Sequence, residues 1–369
     1  MKPVYVTGVQ LNNFRNYQFI SWQPRPGGCI IAGANAAGKT NLLEGIFFGL
    51  TGRSFRTNRE RELIREGSQS VRVELKLTLT TGKMDTALSL TTGAKKTFTV
   101  NGNRAAPGQI PEIPPPVVFN PDHLSIIKGN PQERRRWLDQ ELGIFHPGYL
   151  FNWRRYQHAL AQRNDLLRKI REKRSRPAGL SVWNEQVCHY GGMIMAARLS
   201  LLSRFTPLAR DIYNQIAGRG EKLVISYRSS FPLSGLRESG DISRLMSGQL
   251  EEHLNEDLVR GQTGRGPHRD DLLFSLDGFD VRQYGSQGQQ RSIILSLKLA
   301  QIELCRLDFK EYPVVLLDDV LSELDRMRRE QLFSRLSGLT QSFITTSEEV
   351  HNKSSGVVYI RDGQIWEGE

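Results

Sequence analysis

The segment GANAAGKTN, residues 33 to 41, has the composition of a loop that binds the phosphates of a nucleotide. It satisfies the pattern GxxxxGK[ST], in which glycines let backbone N–H groups point at phosphates, lysine adds a positive charge and threonine binds Mg²⁺. The alternative is an ordinary glycine turn with a surface lysine. The predicted nucleotide-binding residues of this loop are Gly33, Ala34, Asn35, Ala36, Ala37, Gly38, Lys39, Thr40 and Asn41.

Two aspartates at the end of an apolar run supply the carboxylates that such a site needs. The run VVLLDD ends in Asp318 and Asp319, and a buried strand would deliver both to its carboxyl end. We expect Thr40 and Asp318 to be the metal ligands and Asp319 to polarise the attacking water. The predicted catalytic residues are therefore Asp318, Asp319 and Lys39. The alternative for paired acids after a strand is a helix N-cap in solvent.

A third polar segment, SQGQQR at residues 286 to 291, precedes the amphipathic run IILSLKLAQIEL. Its small residues are therefore expected at a helix N-terminus, where free N–H groups and the helix dipole favour an anion. Ordinary helix capping by Ser286 is the alternative, and the local sequence leaves both readings open.

The segments around these residues have the periodicities of an α/β protein. VYVTGVQL and CIIA, which precedes the glycine loop, are predicted strands, and TNLLEGIFFGL is a predicted helix. VRVELKLTLT alternates strictly between apolar and polar residues, which predicts a half-buried antiparallel strand, and KKTFTV continues that sheet. The proline-rich segment from Pro107 to Pro116 predicts irregular structure, and VVF after it a further strand.

The middle of the chain is predicted to be mainly helical. Asn130, Pro131 and Glu133 form a helix start signal, and further helices are predicted from Tyr149 to Ile170 and around Ser181 to Arg204. The segment EKLVISYRS is the exception in this helical region, because it is predicted to form a strand. On the helix that begins at Tyr149, the apolar side is predicted to be Trp153, Tyr156, Leu160 and Leu167, with Arg154, Arg155, Arg163 and Arg168 elsewhere.

Composition narrows the class of protein. The chain has 50 Lys and Arg against 39 Asp and Glu, a net charge of +11, which favours a polyanionic partner although a merely basic soluble protein fits as well. Three distant cysteines suggest neither a disulfide framework nor a zinc site. With no signal-peptide pattern and no long apolar run, we expect a cytoplasmic protein that does not bind a membrane.

Together these motifs resemble a known superfamily. GANAAGKT, SQGQQR and VVLLDDVLSELD occur in the order of the phosphate loop, signature motif and acidic strand of the ABC ATPases. LNNFRNY, GPHRDD and ITTS resemble its RecF branch, the bacterial DNA recombination and repair proteins. The resemblance implies an α/β fold, an ABC-type P-loop ATPase head with an added antiparallel β-subsheet, interrupted by a mainly helical second lobe. The head would comprise residues 1–124 and 256–369, and the helical lobe residues 125–255.

The resemblance also implies roles for particular residues. ATP with Mg²⁺ would be the cofactor, and the signature residues Ser286, Gly288 and Gln289 of one subunit would cap the γ-phosphate on another, so that hydrolysis needs a homodimer. Arg15 and Asn16 would flank the nucleotide, and Ser322 to Asp325 would line the dimer interface. Thr345 or Thr346 lies where many relatives use a switch histidine, so a hydroxyl would have to sense the γ-phosphate.

The chain departs from the superfamily pattern at three places. Ala36 stands where many relatives have glycine. Asp319 stands where most transport ATPases have glutamate, and the shorter carboxylate predicts weak, slow turnover. The loop from Asn120 to Asp122 lies where relatives place a glutamine that contacts metal and water, but it contains no glutamine.

Two clusters of cations are candidate DNA contacts. RKIREKRSR, residues 168 to 176, places six cations in nine residues, and an arginine triplet lies at residues 134 to 136. A solvated surface is the alternative for each cluster. The predicted DNA-binding residues are Arg134, Arg135, Arg168, Lys169, Arg171, Lys173 and Arg174.

The function predicted from this resemblance is an ATP-dependent clamp of recombinational repair and replication. An ATP-driven homodimer would hold duplex DNA, single-stranded DNA or their junctions, with RecR and RecO as partners, and would support recombinase loading and the SOS response. The alternatives are the motor subunit of an ABC transporter and a chromosome-tethering ATPase of the Rad50 type. The absence of heptads and of a central CxxC argues against the latter.

Overall fold

The computed structural model describes residues 4–57, 59–105, 113–146, 148–218, 220–347, 356–361 and 363–367. The strands are, in chain order, β1 (Tyr5–Phe14), β2 (Tyr17–Trp22), β3 (Gly28–Ala32), β4 (Ser70–Leu79), β5 (Gly82–Thr91), β6 (Thr97–Val100), β7 (Asn103–Ala105), β8 (Val117–Phe119), β9 (Leu223–Arg228), β10 (Asp271–Leu276), β11 (Phe279–Asp280), β12 (Val315–Leu317), β13 (Ser342–Thr346), β14 (Val357–Arg361) and β15 (Gln364–Glu367). The α-helices are α1 (Lys39–Thr51), α2 (Ser125–Lys128), α3 (Pro131–Phe145), α4 (Tyr149–Arg171), α5 (Leu180–Ala217), α6 (Ser239–Glu252), α7 (Leu254–Arg260), α8 (Val281–Tyr284), α9 (Gln287–Phe309) and α10 (Arg326–Leu336).

The chain divides into two compact units. The first unit comprises Met1–His123 and Arg291–Glu369, and the second unit comprises Leu124–Gln290. Strand β10 lies inside the second unit, where it pairs with β9 and β11. The sequence places the helical lobe at residues 125–255, and these bounds remain a prediction.

A mainly parallel sheet in the first unit carries the predicted chemistry. Its strand order is β15-β14-β3-β13-β12-β8, in which only β15 at the edge runs antiparallel to its neighbour. The short strands β8, β12 and β13 are buried throughout, as expected of strands covered on both faces. Because β3, β12 and β13 are parallel, the glycine loop, the two aspartates and the threonines meet at one edge.

The predicted antiparallel subsheet is also present in the first unit. Its order is β2-β1-β4-β5-β6-β7, and β4 buries every second residue from Val71 to Leu79. Helix α1 buries Leu42, Leu43 and Ile46 in the same core as both sheets. Of the proline-rich segment, residues 107–112 lie outside the described residues, and 113–116 form no regular element.

The second unit is mainly helical with a three-stranded sheet, β11-β10-β9. Helix α3 begins with the predicted capping box, in which Asn130 accepts from the N–H of Glu133 and the Glu133 carboxylate accepts from the N–H of Asn130. Helix α5 is longer than the sequence predicted, because apolar residues continue past Arg204 until Gly218, whose φ of 62° ends the helix.

The prediction that Arg163 lies away from the apolar side of α4 is wrong. Arg163 is fully buried on the same face as Tyr156, Leu160 and Leu167. Its guanidinium donates to Asp257 at 2.7 Å, to Thr263 at 2.7 Å and to Asn184 at 2.6 Å. A charge can be buried when it is paired and hydrogen-bonded in this way.

Among the described residues, no helix is both long enough and apolar enough to span a bilayer.

Candidate nucleotide-binding site

The glycine loop lies between β3 and α1, and its lysine is folded back onto the loop. Lys39 Nζ donates to the carbonyl oxygens of Gly33 at 2.7 Å and Ala34 at 2.9 Å. Burial lowers the pKa of the Lys39 ammonium, while the nearby carboxylates of Asp319 and Asp318 raise it. The lysine charge therefore lies inside the loop and within electrostatic reach of both aspartates.

The loop backbone needs unusual conformations at two positions. Gly38 has a φ of 109°, and a Cβ there would lie 2.6 Å from Asn16 Nδ2 and 2.8 Å from the Tyr17 hydroxyl oxygen, so only glycine fits. Ala36 has a φ of 64°. An alanine in the left-handed region costs about 1–2 kcal/mol relative to glycine, so the departure at position 36 is accommodated with strain.

The first aspartate joins the glycine loop directly. Thr40 Oγ1 donates to Asp318 Oδ1 at 2.7 Å, and Thr345 Oγ1 donates to the same oxygen at 3.0 Å. Burial raises the pKa of the Asp318 carboxyl, and these two hydrogen bonds lower it. A hydroxyl and a carboxylate held this close are oxygen donors of the kind that Mg²⁺ prefers, so the residues present fit that ion.

The second aspartate is held through its backbone. Asp319 has a φ of 52°, its N–H donates to Thr345 Oγ1 at 2.9 Å, and its carbonyl oxygen accepts from Ser322 Oγ at 2.8 Å. Ser322 belongs to the predicted interface segment. Neither aspartate caps a helix of the described residues, whereas Asp325 does cap α10.

The loop after β8 contributes an oxygen atom at the same edge of the sheet. The Asn120 N–H donates to His123 Nδ1 at 3.1 Å, and the Asp318 N–H donates to the carbonyl oxygen of Phe119 at 2.9 Å. Asn120 Oδ1 is buried and has no hydrogen-bond partner among the described residues. An unsatisfied buried oxygen beside the aspartate strand is consistent with a polar ligand at this edge.

The two residues predicted to flank the nucleotide, Asn16 and Arg15, make different contacts. Asn16 contacts the loop, since its Nδ2 donates to the carbonyl of Ala37 at 3.4 Å and its Oδ1 accepts from Asn41 at 2.8 Å. Arg15 instead pairs with buried Glu44, at 2.7 and 2.8 Å. Both residues line an open cavity of about 700 Å³ beside the loop.

Sequence reasoning missed Glu44 and Arg56. Glu44 is fully buried and accepts from Arg15, from Ser54 at 2.5 Å and from Arg56 at 3.4 Å. Arg56 also donates to Asn41 Oδ1 at 2.8 Å and lowers the pKa of the Asp318 carboxyl. The one available signal was a glutamate within the apolar run of α1, where a charge is costly unless it is paired.

The signature residues Ser286, Gly288 and Gln289 lie in the second unit, at the start of α9. Ser286 Oγ accepts from the N–H of Gln289 at 3.2 Å, and Gln289 Oε1 accepts from the N–H of Ser286 at 2.7 Å. This reciprocal pair is the capping arrangement that the sequence left open as the alternative. Gln289 Nε2 further donates to Glu221 at 2.9 Å, and Glu221 accepts from Tyr213 at 2.6 Å. Ser286 is exposed, and Gly288 and Gln289 are half-buried.

The first arginine cluster is only partly exposed: Arg134 is buried, Arg135 is half-buried and Arg136 is exposed, and the DNA contacts predicted for Arg134 and Arg135 stay a prediction. Arg134 is 2% exposed, and its guanidinium donates to the Asp271 carboxylate at 2.7 and 2.9 Å. This pairing offsets the cost of burying the arginine charge. Arg135 is half-buried and donates to the carbonyl of Asp270 at 2.7 Å. Burial lowers the pKa of its guanidinium.

The second cluster is exposed at the end of α4. Arg168 and Lys169 share Asp165, at 3.7 and 2.7 Å, and Arg174 lies 3.1 Å from Glu172. Arg171 donates to the carbonyl of Arg260 at 3.2 Å. Lys173 is exposed and has a φ of 57°. These cations are accessible to a polyanion, although carboxylates partly neutralise them.

Comparison with known proteins identifies the family. The family model described as RecF/RecN/SMC N terminal domain matches residues 5–362. The DNA replication and repair protein RecF of Desulforudis audaxviator is 44% identical over 367 residues, 98% of this chain and 99% of that protein. The protein of the same name from Pelotomaculum thermopropionicum is 43% identical over 360 residues, 97% of this chain and 98% of that protein.

A solved structure of the recombination mediator protein RecF-ATPrS in the RecFOR pathway has the same fold. It superposes with a TM-score of 0.92 at 32% identity and covers 99% of this chain and 98% of that chain. Since family model, curated relatives and solved structure all extend over nearly the whole sequence, this chain belongs to the RecF family of ABC-type ATPases.

Proposed function

We propose that this protein is an ATP-dependent DNA-binding protein of recombinational repair and replication. The observation that carries the proposal is the convergence of Lys39, Thr40 and Asp318 at one edge of the parallel sheet, with Asp319 beside them. The relatives are named for DNA replication and repair, and one is described as RecF-ATPrS. These names support ATP as the nucleotide and DNA as the partner.

The residues of the site suggest how ATP would be bound and hydrolysed. Lys39 would exchange its two carbonyl contacts for phosphate oxygens, because charge-assisted hydrogen bonds to an anion are stronger. Thr40 and Asp318 would hold Mg²⁺, which neutralises charge on the phosphate oxygens when bound. Asp319 would orient the attacking water. Its short carboxylate leads us to propose a weak ATPase that DNA stimulates, releasing ADP and phosphate.

A second subunit would complete the site. The proposed dimer brings Ser286, Gly288 and Gln289 of one subunit to the γ-phosphate on the loop of the other. The exposed Ser286 hydroxyl and the N-terminus of α9, a helix of 23 residues, support this because both favour an anion. ATP would close the homodimer, and hydrolysis would open it.

DNA would be held mainly through its phosphates. Exposed cations at the end of α4 support this role, and the candidates are Arg168, Lys169, Arg171, Lys173 and Arg174. Such contacts position a protein on DNA with little base specificity. We extend the proposal to gaps and single-strand/duplex junctions, to RecR and RecO as partners, and to support of recombinase loading and the SOS response, as the family resemblance implies.

Sedimentation with and without nucleotide tests the proposal. Wild type, Lys39→Met and Ser286→Arg would be compared with ATP, with ADP and without nucleotide, at a salt concentration that suppresses nonspecific association. We expect a dimer only for wild type with ATP. A monomer for wild type under every condition, with duplex DNA present as well, would rule out the shared site.

The two alternative functions lack support from this chain. A transporter motor subunit would be retained by membranes rather than by duplex DNA, which a single binding comparison can distinguish. A chromosome-tethering ATPase would need long coiled-coil arms. This chain and its RecF relatives match along nearly their whole lengths, so the matched region contains no segment that could form such arms.

A further inference from the structure

The hydroxyl of Thr345 makes one hydrogen bond to each of the two aspartates, Asp318 and Asp319. It donates to Asp318 Oδ1 at 3.0 Å and accepts from the Asp319 N–H at 2.9 Å. A third polar atom, the carbonyl oxygen of Leu317, lies at the longer distance of 3.4 Å. The Thr345 side chain is fully buried in β13, so its hydroxyl faces the strand that carries the two aspartates.

The resemblance implied that the hydroxyl of Thr345 or of Thr346 senses the γ-phosphate, and the contacts of Thr345 do not suit that role. A residue that senses the γ-phosphate needs a free donor that points toward the nucleotide. The single hydroxyl hydrogen of Thr345 is used by Asp318, and its oxygen by Asp319. Thr345 therefore acts on the aspartates rather than on the phosphate.

The conformation of Asp319 explains why such a contact matters. A φ of 52° is uncommon for a residue other than glycine, even though aspartate tolerates it better than most. Such conformations persist only when surrounding contacts hold them. Asp319 is held at its N–H by Thr345 and at its carbonyl by Ser322, so the direction of its carboxylate depends on two hydroxyls.

We propose that Thr345 is a positioning residue that ties the metal-side carboxylate of Asp318 to the backbone of Asp319, so that both carboxylates keep one geometry. The inference rests on the proposed ATPase function. Thr345 touches neither nucleotide nor water in this role. Its loss would impair hydrolysis and the response to Mg²⁺ more than it impairs nucleotide binding, because Lys39 and the loop backbone do not depend on it.

Three variants separate this role from a general loss of packing. Thr345→Val keeps the branched shape but removes both hydrogen bonds, and Thr345→Ser restores the hydroxyl. Thr340→Val is the matched control, since the Thr340 hydroxyl is also buried and contacts Ser342 Oγ at 3.0 Å, away from the aspartates. For each variant, ATP affinity would be measured as a function of Mg²⁺ concentration, together with the ATP turnover rate and the melting temperature.

We expect Thr345→Val to bind ATP within about threefold of wild type at saturating Mg²⁺, to need several-fold more Mg²⁺ to reach that affinity, and to turn over at least tenfold more slowly. Thr345→Ser should recover most of the turnover, and Thr340→Val should keep it. Wild-type turnover and Mg²⁺ response in Thr345→Val, or an equal loss in Thr340→Val, would overturn the inference. If wild type itself hydrolysed no ATP, the proposed function would fail, and the Mg²⁺ response would still decide the role of Thr345.

Discussion

Replacing Glu221 by glutamine is expected to strengthen the proposed ATP-dependent dimer about tenfold, because it removes a negative charge beside the signature segment. Glu221 accepts from Gln289 Nε2 at 2.9 Å, and Gln289 accepts from the N–H of Ser286 at 2.7 Å. The carboxylate is thus one side chain away from the helix start that would receive a partner's γ-phosphate. Glutamine keeps the size of the side chain and an oxygen that can accept from Gln289.

The magnitude follows from Coulomb's law. We treat the Glu221 carboxylate and the γ-phosphate in the proposed dimer as two unit charges and assume a separation of roughly 8–10 Å. Their repulsion is then roughly 0.5–2 kcal/mol when the effective dielectric constant lies between about 80 and 20. A symmetric dimer contains two such sites, so the repulsion totals roughly 1–4 kcal/mol. Because Glu221 is half-buried and reaches solvent, the lower part of this range applies, and we take about 1.4 kcal/mol. About 1.4 kcal/mol corresponds to a tenfold change in the dimer dissociation constant.

Sedimentation equilibrium with ATP gives this dissociation constant directly. Glu185→Gln is the matched control for net charge, since Glu185 is an exposed residue of α5. Tyr213→Phe removes the other contact of Glu221 without changing the charge. The gain from Glu221→Gln should shrink at about 0.5 M salt, because screening shortens the reach of charges to a few ångströms. An unchanged or weaker dimer, or an equal gain in Glu185→Gln, would refute the electrostatic reasoning.

Three further predictions concern the glycine loop, the second unit and the DNA contacts. Ala36→Gly should raise the free energy of unfolding of the first unit by up to about 1 kcal/mol, because the strain that it relieves exceeds the extra conformational entropy that glycine loses on folding; a clear loss of stability in urea titrations would contradict this. His268 is half-buried, and desolvation lowers its pKa to about 4, so the unfolded chain takes up a proton at this residue first as pH falls. The second unit should therefore lose about 2 kcal/mol of stability between pH 7 and 5, and His268→Gln should lose less, as measured by thermal melting. Reversing Arg168, Lys169 and Arg171 together to glutamate should weaken duplex binding about tenfold or more at 0.1 M salt and flatten its salt dependence; unchanged affinity would place the DNA elsewhere.

The parts of the fold that sequence predicted are those fixed by local patterns. The alternation in β4 and the capping box at Asn130 involve residues only two or three positions apart, and both are present. The glycine loop follows a short apolar strand and precedes a helix, so its position needed no knowledge of distant residues. Parallel strand order then brought Asp318 to the same edge.

The parts that sequence could not predict depend on pairs far apart in the chain. The partner of Glu44 is Arg15, 29 residues earlier, and the partner of Arg134 is Asp271, 137 residues later. The inward hydroxyl of Thr345 contacts Asp318, 27 residues earlier. Nothing in the local sequence separates an arginine that will be buried with a carboxylate from one that will face solvent.

The buried ion pairs also change how the net charge should be interpreted. Arg134, Arg163 and Arg198 are each almost fully buried, and each pairs with one aspartate. Each pair removes one positive and one negative charge, so the net charge of +11 is unaffected and must be carried by the remaining residues. A basic balance therefore still favours a polyanion, but a run of arginines does not show where the polyanion binds. The burial of Arg134 and the exposure of Arg168 and Lys169 support our proposal that DNA phosphates bind at the end of α4.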